Sequence, residues 1–226
     1  MKKILPTLAV AASATVGTSA FAASTTTYLG GLFGGTSESF QYTTQDDVEV
    51  NATASSWNPY SHQNEDAHVN KGLLGLGVSN SVTYRQTFFG SIPQTSDDSD
   101  IDGSGFSDTL WLSFDQAFDL NGIWFSKVDH NDEVQLVDEH HQVIAEYDLG
   151  NLCDFFGIAY LDISSLNLST TKIGFTALDC NDDFKVKSIY GMKTEAVPTP
   201  SAAAAGLMGL VALSARRRRK AAESAA

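Results

Sequence analysis

A chain of 226 residues has room for one ordinary domain or two very small ones, and 42% hydrophobic against 18% charged residues supports a packed core rather than wholesale disorder. The 14 Lys+Arg and 27 Asp+Glu give a formal charge of −13, but Lys2, Lys3, Arg216, Arg217, Arg218, Arg219 and Lys220 sit at the extreme ends with only Glu223 for company. The body between keeps 7 bases and 26 acids, a net charge of −19, which repels phosphate backbones; nucleic acid is thereby excluded as a partner and cation binding becomes worth seeking.

Residues 1–22 carry the three parts of a secretory signal: a basic start at Lys2 and Lys3, an apolar run from Ile4 to Val16, and the small residues Ala20-Phe21-Ala22 that a signal peptidase requires. Cleavage after Ala22 is expected, leaving residues 23–196 as the exported body.

Helical periodicity is nearly absent from that body, and no internal repeat is read in it. Short alternating runs separated by Gly, Asn, Asp and Ser predict strands over Ser39–Thr44, Val48–Ala54, Ser81–Thr87, Thr109–Phe114, Gly122–Val128, Glu133–Val137, Val143–Tyr147, Lys172–Leu178 and Phe184–Met192. Asp102-Gly103 and Asn121-Gly122 are predicted turns, because these residues tolerate positive φ. The expected fold is all-β: a single β-sandwich, jelly-roll-like.

Candidate chemistry follows in chain order. Trp57-Asn58-Pro59-Tyr60 lies in a polar, Pro-containing stretch, so Trp57 and Tyr60 are candidates for stacking on a sugar. Asp98-Ser99-Asp100-Ile101-Asp102-Gly103 matches the start of an Asp-x-Asp-x-Asp-Gly calcium loop, in which alternating carboxylates converge and the Gly permits the turn. The twelfth position is Thr109 rather than Glu, and no helices flank the loop, so an EF-hand is rejected. A calcium (Ca2+) site on a β scaffold, drawing on Asp98, Asp100, Asp102 and Asp108, is retained as an expectation, against the alternative of an acidic solvated loop. Trp111 stands opposite Leu110 and Leu112 in its strand, facing solvent or a second layer, while Trp124 is expected in the core.

The clusters Asp129-His130-Asn131-Asp132-Glu133 and Asp138-Glu139-His140-His141 are read as rim turns rather than zinc sites, since adjacent His140 and His141 point to opposite faces of a strand. Cys153 and Cys180 are the only cysteines, and an even count in an exported domain predicts a disulfide between them. A Gly-x-Ser-x-Gly elbow, a P-loop, a dinucleotide fingerprint and a His-Glu-x-x-His helix are all absent. A non-enzymatic protein is therefore expected. A glycan hydrolase working through paired carboxylates stays open, because their separation is a three-dimensional property.

The C-terminus has a tripartite order. Val197-Pro198-Thr199-Pro200 precedes the uncharged run Ser201 to Ala215, and the basic cluster Arg216 to Lys220 follows, with 221–226 as a tail. The run is just long enough, with its Pro-containing approach, to span a membrane as a helix, with the basic end on the cytoplasmic side. Residues 197–220 resemble the PEP-CTERM sorting signal of Gram-negative bacteria, with Thr where the commonest form has Glu between the prolines. The resemblance implies transient residence in the inner membrane and cleavage by an exosortase-type enzyme. It also implies delivery to the cell surface or extracellular matrix, in association with exopolysaccharide or biofilm.

A second stretch comprises Gly75-Leu76-Gly77-Val78, Asp98 to Asp102, and Asp108-Thr109-Leu110-Trp111-Leu112-Ser113-Phe114. It is similar to a group of exosortase-dependent surface proteins, and no enzymatic activity travels with that likeness.

The function expected is that of an exported, non-enzymatic surface or matrix protein, its acidic body bridged by divalent cations to anionic exopolysaccharide. A calcium-dependent carbohydrate-binding module is the alternative.

Overall fold

The computed structural model describes residues 24–58, 62–65, 67–80, 83–87, 90–94, 99–103 and 107–194. The expected signal peptide, the sorting segment 197–220, the tail 221–226, Tyr60 and Asp98 lie outside the described residues. Among the described residues no helix is long and apolar enough to cross a membrane.

The described part of the chain is all-β, as its alternation predicts. In order come β1 (Thr25–Tyr28), β2 (Gly35–Ser37), β3 (Ser39–Thr43), β4 (Glu49–Asn58), β5 (Gln63–Glu65), β6 (Ala67–Gly72), β7 (Gly75–Asn80), β8 (Thr83–Thr87) and β9 (Gly90–Gln94). Then follow β10 (Ile101–Asp102), β11 (Ser107–Ser126), β12 (Glu133–Val137), β13 (Val143–Asp148), β14 (Ile158–Asp162), one 3-10 turn (Ser164–Leu166), β15 (Leu168–Ala177) and β16 (Asp183–Lys193). Fourteen of these strands form one antiparallel sheet, and β8 pairs with β9 apart from it.

The spine is β11, a 20-residue strand where the sequence reading places two strands and an Asn121-Gly122 turn. That turn is not formed. Gly122 lies in the strand, paired with both Asp162 and Tyr190, and a Cβ there would stand 2.4 Å from the Tyr160 hydroxyl. Gly is needed for close approach rather than for reversal.

The register of β11 against β15 is interrupted between Ser113 and Phe118, and the Phe114 and Phe118 rings stack at 4.9 Å across the interruption. Before it, β11 is flanked by β4 and β15; after it, by β16 on one side and on the other by β15 as far as Leu120 and then by β14. The two halves enclose one core. Phe125 from the second half meets Phe175 from the first at 6.2 Å, and Phe184 at 5.5 Å. Leu110, Leu112, Leu120, Ile123, Val186 and Ile189 are sealed in the same cluster.

The interruption of β11 defines one pole of the domain. There β1 begins, with Thr25 opposite Gly191, and β16 ends, with Lys193 opposite Phe118, so the chain enters and leaves at this pole. The connections 127–132 and 178–182 gather at the far pole, about 26 Å away for eight extended residues from Phe118 to Ser126.

Candidate functional site

On the outer face of the first half, four strands place one residue each in a single cross-strand row. Ser55 of β4 pairs with Thr109 of β11, Thr109 with Thr176 of β15, and Thr176 with Gln135 of β12. Period-two alternation puts all four opposite the core-facing Leu110, Phe175 and Leu136, so three hydroxyls and an amide line one floor about 14 Å long. This row is the floor of an open groove of about 270 Å3.

One wall is Trp57, whose neighbour in the register is Ser107; it is 42% exposed, with the His62 ring 6.4 Å away. The other is His141, held edge-on against Trp111 at 4.8 Å. Trp111 itself points outward yet is buried, capped by His141 and by the Lys172 ammonium at 4.6 Å from its ring. Its Nε1–H donates to Ser55 Oγ at 2.8 Å, which fixes the oxygen and leaves the Ser55 O–H as a donor toward the groove.

The left-handed backbone of His141 (φ 59°) comes from the tight turn joining β12 to β13. There Asp138 Oδ1 accepts the N–H groups of His140 and Gln142, and these bonds hold the Asp138 carboxyl below its ordinary pKa. The rim-turn reading of 138–141 is thus what the structure contains.

Among the described residues no Asp or Glu lines this groove. A smaller cavity of about 210 Å3 at the opposite pole does hold two carboxylates, Glu49 and Asp115, with Asp115 Oδ1 accepting the Glu49 N–H at 2.9 Å.

Of the calcium candidates, Asp100, Asp102 and Asp108 are among the described residues. Asp100 is fully buried and neutralised by two lysines: Lys127 Nζ donates to its Oδ2, and Lys185 Nζ lies 3.0 Å from its Oδ1 while donating to Ser99 O at 2.5 Å. Asp102 lies in β10, opposite Asp183. Asp108, also fully buried, lies in β11, where its Oδ1 accepts from Ser56 Oγ at 2.8 Å and Asn80 Nδ2 at 2.7 Å. Among the described residues, no group of three or more His, Cys, Asp or Glu side chains is arranged to hold a metal ion.

These same contacts give the Gly-Leu-Gly-Val segment a packing role. A Cβ on Gly75 (φ 140°) would lie 2.5 Å from the Val186 carbonyl oxygen, and one on Gly77 only 2.1 Å from that of Ser99. Between and beyond them, Leu76 and Val78 are sealed in the core, and the Val78 N–H donates to Asp100 O at 3.2 Å.

A repeated element, which the sequence reading misses, closes the far pole. Asp129-His130-Asn131-Asp132 and Asp179-Cys180-Asn181-Asp182 are the same Asp-x-Asn-Asp turn, each leading into a strand. Asp132 Oδ2 accepts the Asp129 N–H at 2.7 Å, and Asp182 Oδ2 accepts that of Asp179 at 2.6 Å. The turns interlock, because Asp132 Oδ1 also accepts the Asp183 N–H at 3.0 Å and Asn131 Nδ2 donates to Asn181 O at 2.9 Å. Burial pushes the Asp132 carboxyl up to about 6 and raises Asp182 as well. Loss of solvation and the surrounding acids Asp182, Asp148, Asp179 and Glu146 raise Glu133.

The disulfide is not formed in this structure: Cys153 and Cys180 are free thiols, the first half-buried with Sγ donating to Gly150 O at 3.2 Å, the second exposed in its turn. Trp124 is not in the core. Because Ile123 and Phe125 point inward, it points out and is 37% exposed.

No family model, no curated protein and no solved structure matches the chain.

Proposed function

We propose that this is an exported, non-enzymatic saccharide-binding protein of the cell surface or extracellular matrix, built on a jelly-roll-like β-sandwich. The observation that carries the reading is the pairing of the exposed Trp57 face with the hydroxyl and amide row Ser55–Thr109–Thr176–Gln135. An indole offers a flat apolar surface to the C–H face of a pyranose, and the floor supplies donors and acceptors at strand spacing for its hydroxyls. Binding rather than hydrolysis is favoured because glycoside cleavage needs two carboxylates and, among the described residues, none lines the groove.

Export and sorting rest on the sequence of the two ends, read by a signal peptidase and an exosortase-type enzyme. Both ends of the domain leave it at the pole opposite Trp57, so a chain held in the inner membrane by residues 201–215 would present its groove away from that membrane.

The test is titration of the full chain against a panel of oligosaccharides by calorimetry. Trp57→Ala is expected to weaken binding about 10- to 100-fold, the ~1.4–2.8 kcal/mol of a stacked aromatic anchor. Unchanged affinity in Trp57→Ala, or no binding across the panel, would refute the reading.

A further inference from the structure

The outer face of the second half carries an aromatic surface of its own. Inward residues there are Thr27 of β1 and Leu29 just after it, Ile123 and Phe125 of β11, Ala159 and Leu161 of β14, and Ile189 of β16. Their neighbours therefore face out, and the register aligns them in two rows: Tyr28–Ser188–Trp124–Tyr160, then Thr26–Tyr190–Gly122–Asp162.

Three aromatic residues fall in the first row and Tyr190 in the second. Tyr28 is 68% exposed at the edge, two strand spacings or about 10 Å from Trp124. The Trp124 and Tyr160 rings lie 4.8 Å apart, tilted by 41°. Small residues keep the ground between them low. Ser188 is covered, and Gly122 lets the Tyr160 ring cross it toward Tyr190. Polar groups rim the surface at Asp162, Thr26 and the Asn121 amide, which donates to Ser24 Oγ at 3.4 Å. Burial raises the Tyr160 phenol above its ordinary pKa, with Asp162 and Tyr190 adding to the effect, so the hydroxyl stays a neutral donor.

We infer that Tyr28, Trp124, Tyr160 and Tyr190 form a second saccharide-binding platform, making the domain bivalent toward uncharged polysaccharide. This rests on the saccharide-binding reading of the Trp57 groove. The tilt between the rings suits a single twisted chain in solution better than a flat crystalline face. Charge decides against the other occupants: a body of net −19 repels a second copy of itself and an anionic chain alike, whereas a neutral pyranose stacks without that cost. The core separates the platform from the groove, so the two face opposite ways. Each molecule then joins two polysaccharide strands, and occupancy of both raises the overall avidity.

The test is native electrophoresis of the full chain through gels cast with mixed-linkage β-glucan, xyloglucan, galactomannan or dextran, with alginate as the anionic contrast, together with turbidity on mixing. Retardation by at least one neutral polymer is expected. Trp124→Ala and Trp57→Ala should each weaken retardation about tenfold, and either alone should abolish turbidity. Trp124→Phe should keep both. Tyr28→Ala, at an exposed edge position, gives a second reading of the platform that does not depend on how Trp124→Ala folds.

Loss only in Trp57→Ala would leave the groove standing and overturn the platform; loss only in Trp124→Ala would do the reverse. Passage of the unaltered chain through every gel without retardation would overturn both. A dimer in sedimentation equilibrium that Trp124→Ala dissociates would assign the face to a second copy and overturn the inference.

Discussion

Asp100→Asn separates the two roles open to the acidic loop. In the structure the Asp100 carboxylate is fully buried between Lys127 and Lys185, and the Lys185 side chain is only 10% exposed. Replacing the carboxylate by an amide leaves two ammonium groups facing each other across a neutral side chain, one of them out of water. Breaking a buried pair in this way costs about 3–5 kcal/mol. For a domain of this size each kcal/mol is worth about 2–4 °C of melting temperature, so a fall of roughly 6–20 °C is expected.

The assay is thermal unfolding by near-UV circular dichroism, run in chelator and again in millimolar calcium. The packing role predicts the same fall in both media. It also predicts that Asp100→Leu combined with Lys185→Met recovers much of the loss, since apolar residues of similar volume remove the stranded charge. A calcium-induced stabilisation of the parent chain that vanishes in Asp100→Asn would refute the argument and make Asp100 a ligand.

Two other outcomes are expected. The Asp132 carboxyl titrates at about 6 in the folded chain against 3.8 for an ordinary aspartate, so the folded state holds the extra proton between those values. Its contribution to stability is present below about pH 4 and is lost as pH rises toward 6. Asp132→Asn keeps only one acceptor for the Asp129 and Asp183 N–H groups, so it should be less stable than the parent at pH 4, by an amount that narrows by pH 7; a constant gap in urea unfolding would refute this. Intact mass of the chain recovered from its native envelope should show residues 1–22 removed and a new C-terminus near Pro200. A chain still ending at Ala226 would refute sorting.

The sequence reading and the structure agree where the signal is local. Period-two alternation of Glu133–Val137 is a property of five consecutive residues, and β12 has those bounds. They part where pairing is decided at long range. The Gly-rich run at 75–80 has no strand propensity of its own, yet it becomes β7 because Gly75 and Gly77 let its backbone lie against Val186 and Ser99. Asn121-Gly122 has the local chemistry of a hairpin, but the long strand through it buries Leu120 and Ile123 in one core while Tyr160 occupies the space a side chain would need. Trp124 was expected in the core and is not there, because alternation between the inward-facing Ile123 and Phe125 turns it outward.

The site divides along the same line. Trp57 stands out in the sequence as an aromatic residue in polar surroundings, but the floor it overlooks is assembled from strands at 55, 109, 135 and 176, whose meeting no local pattern encodes. Alternating aspartates at 98–102 read equally as a cation loop or a solvated one. Only folding brings Lys127 and Lys185, 27 and 85 residues away, onto Asp100 and buries the charge.

By itself, then, the sequence determined the strand class of the body and its acidity, because alternation and charge are sums over neighbours. Which strands became central, which acids were neutralised and which aromatic residues were left facing water were settled only by the tertiary structure, because each depends on what the folded sheet sets opposite them.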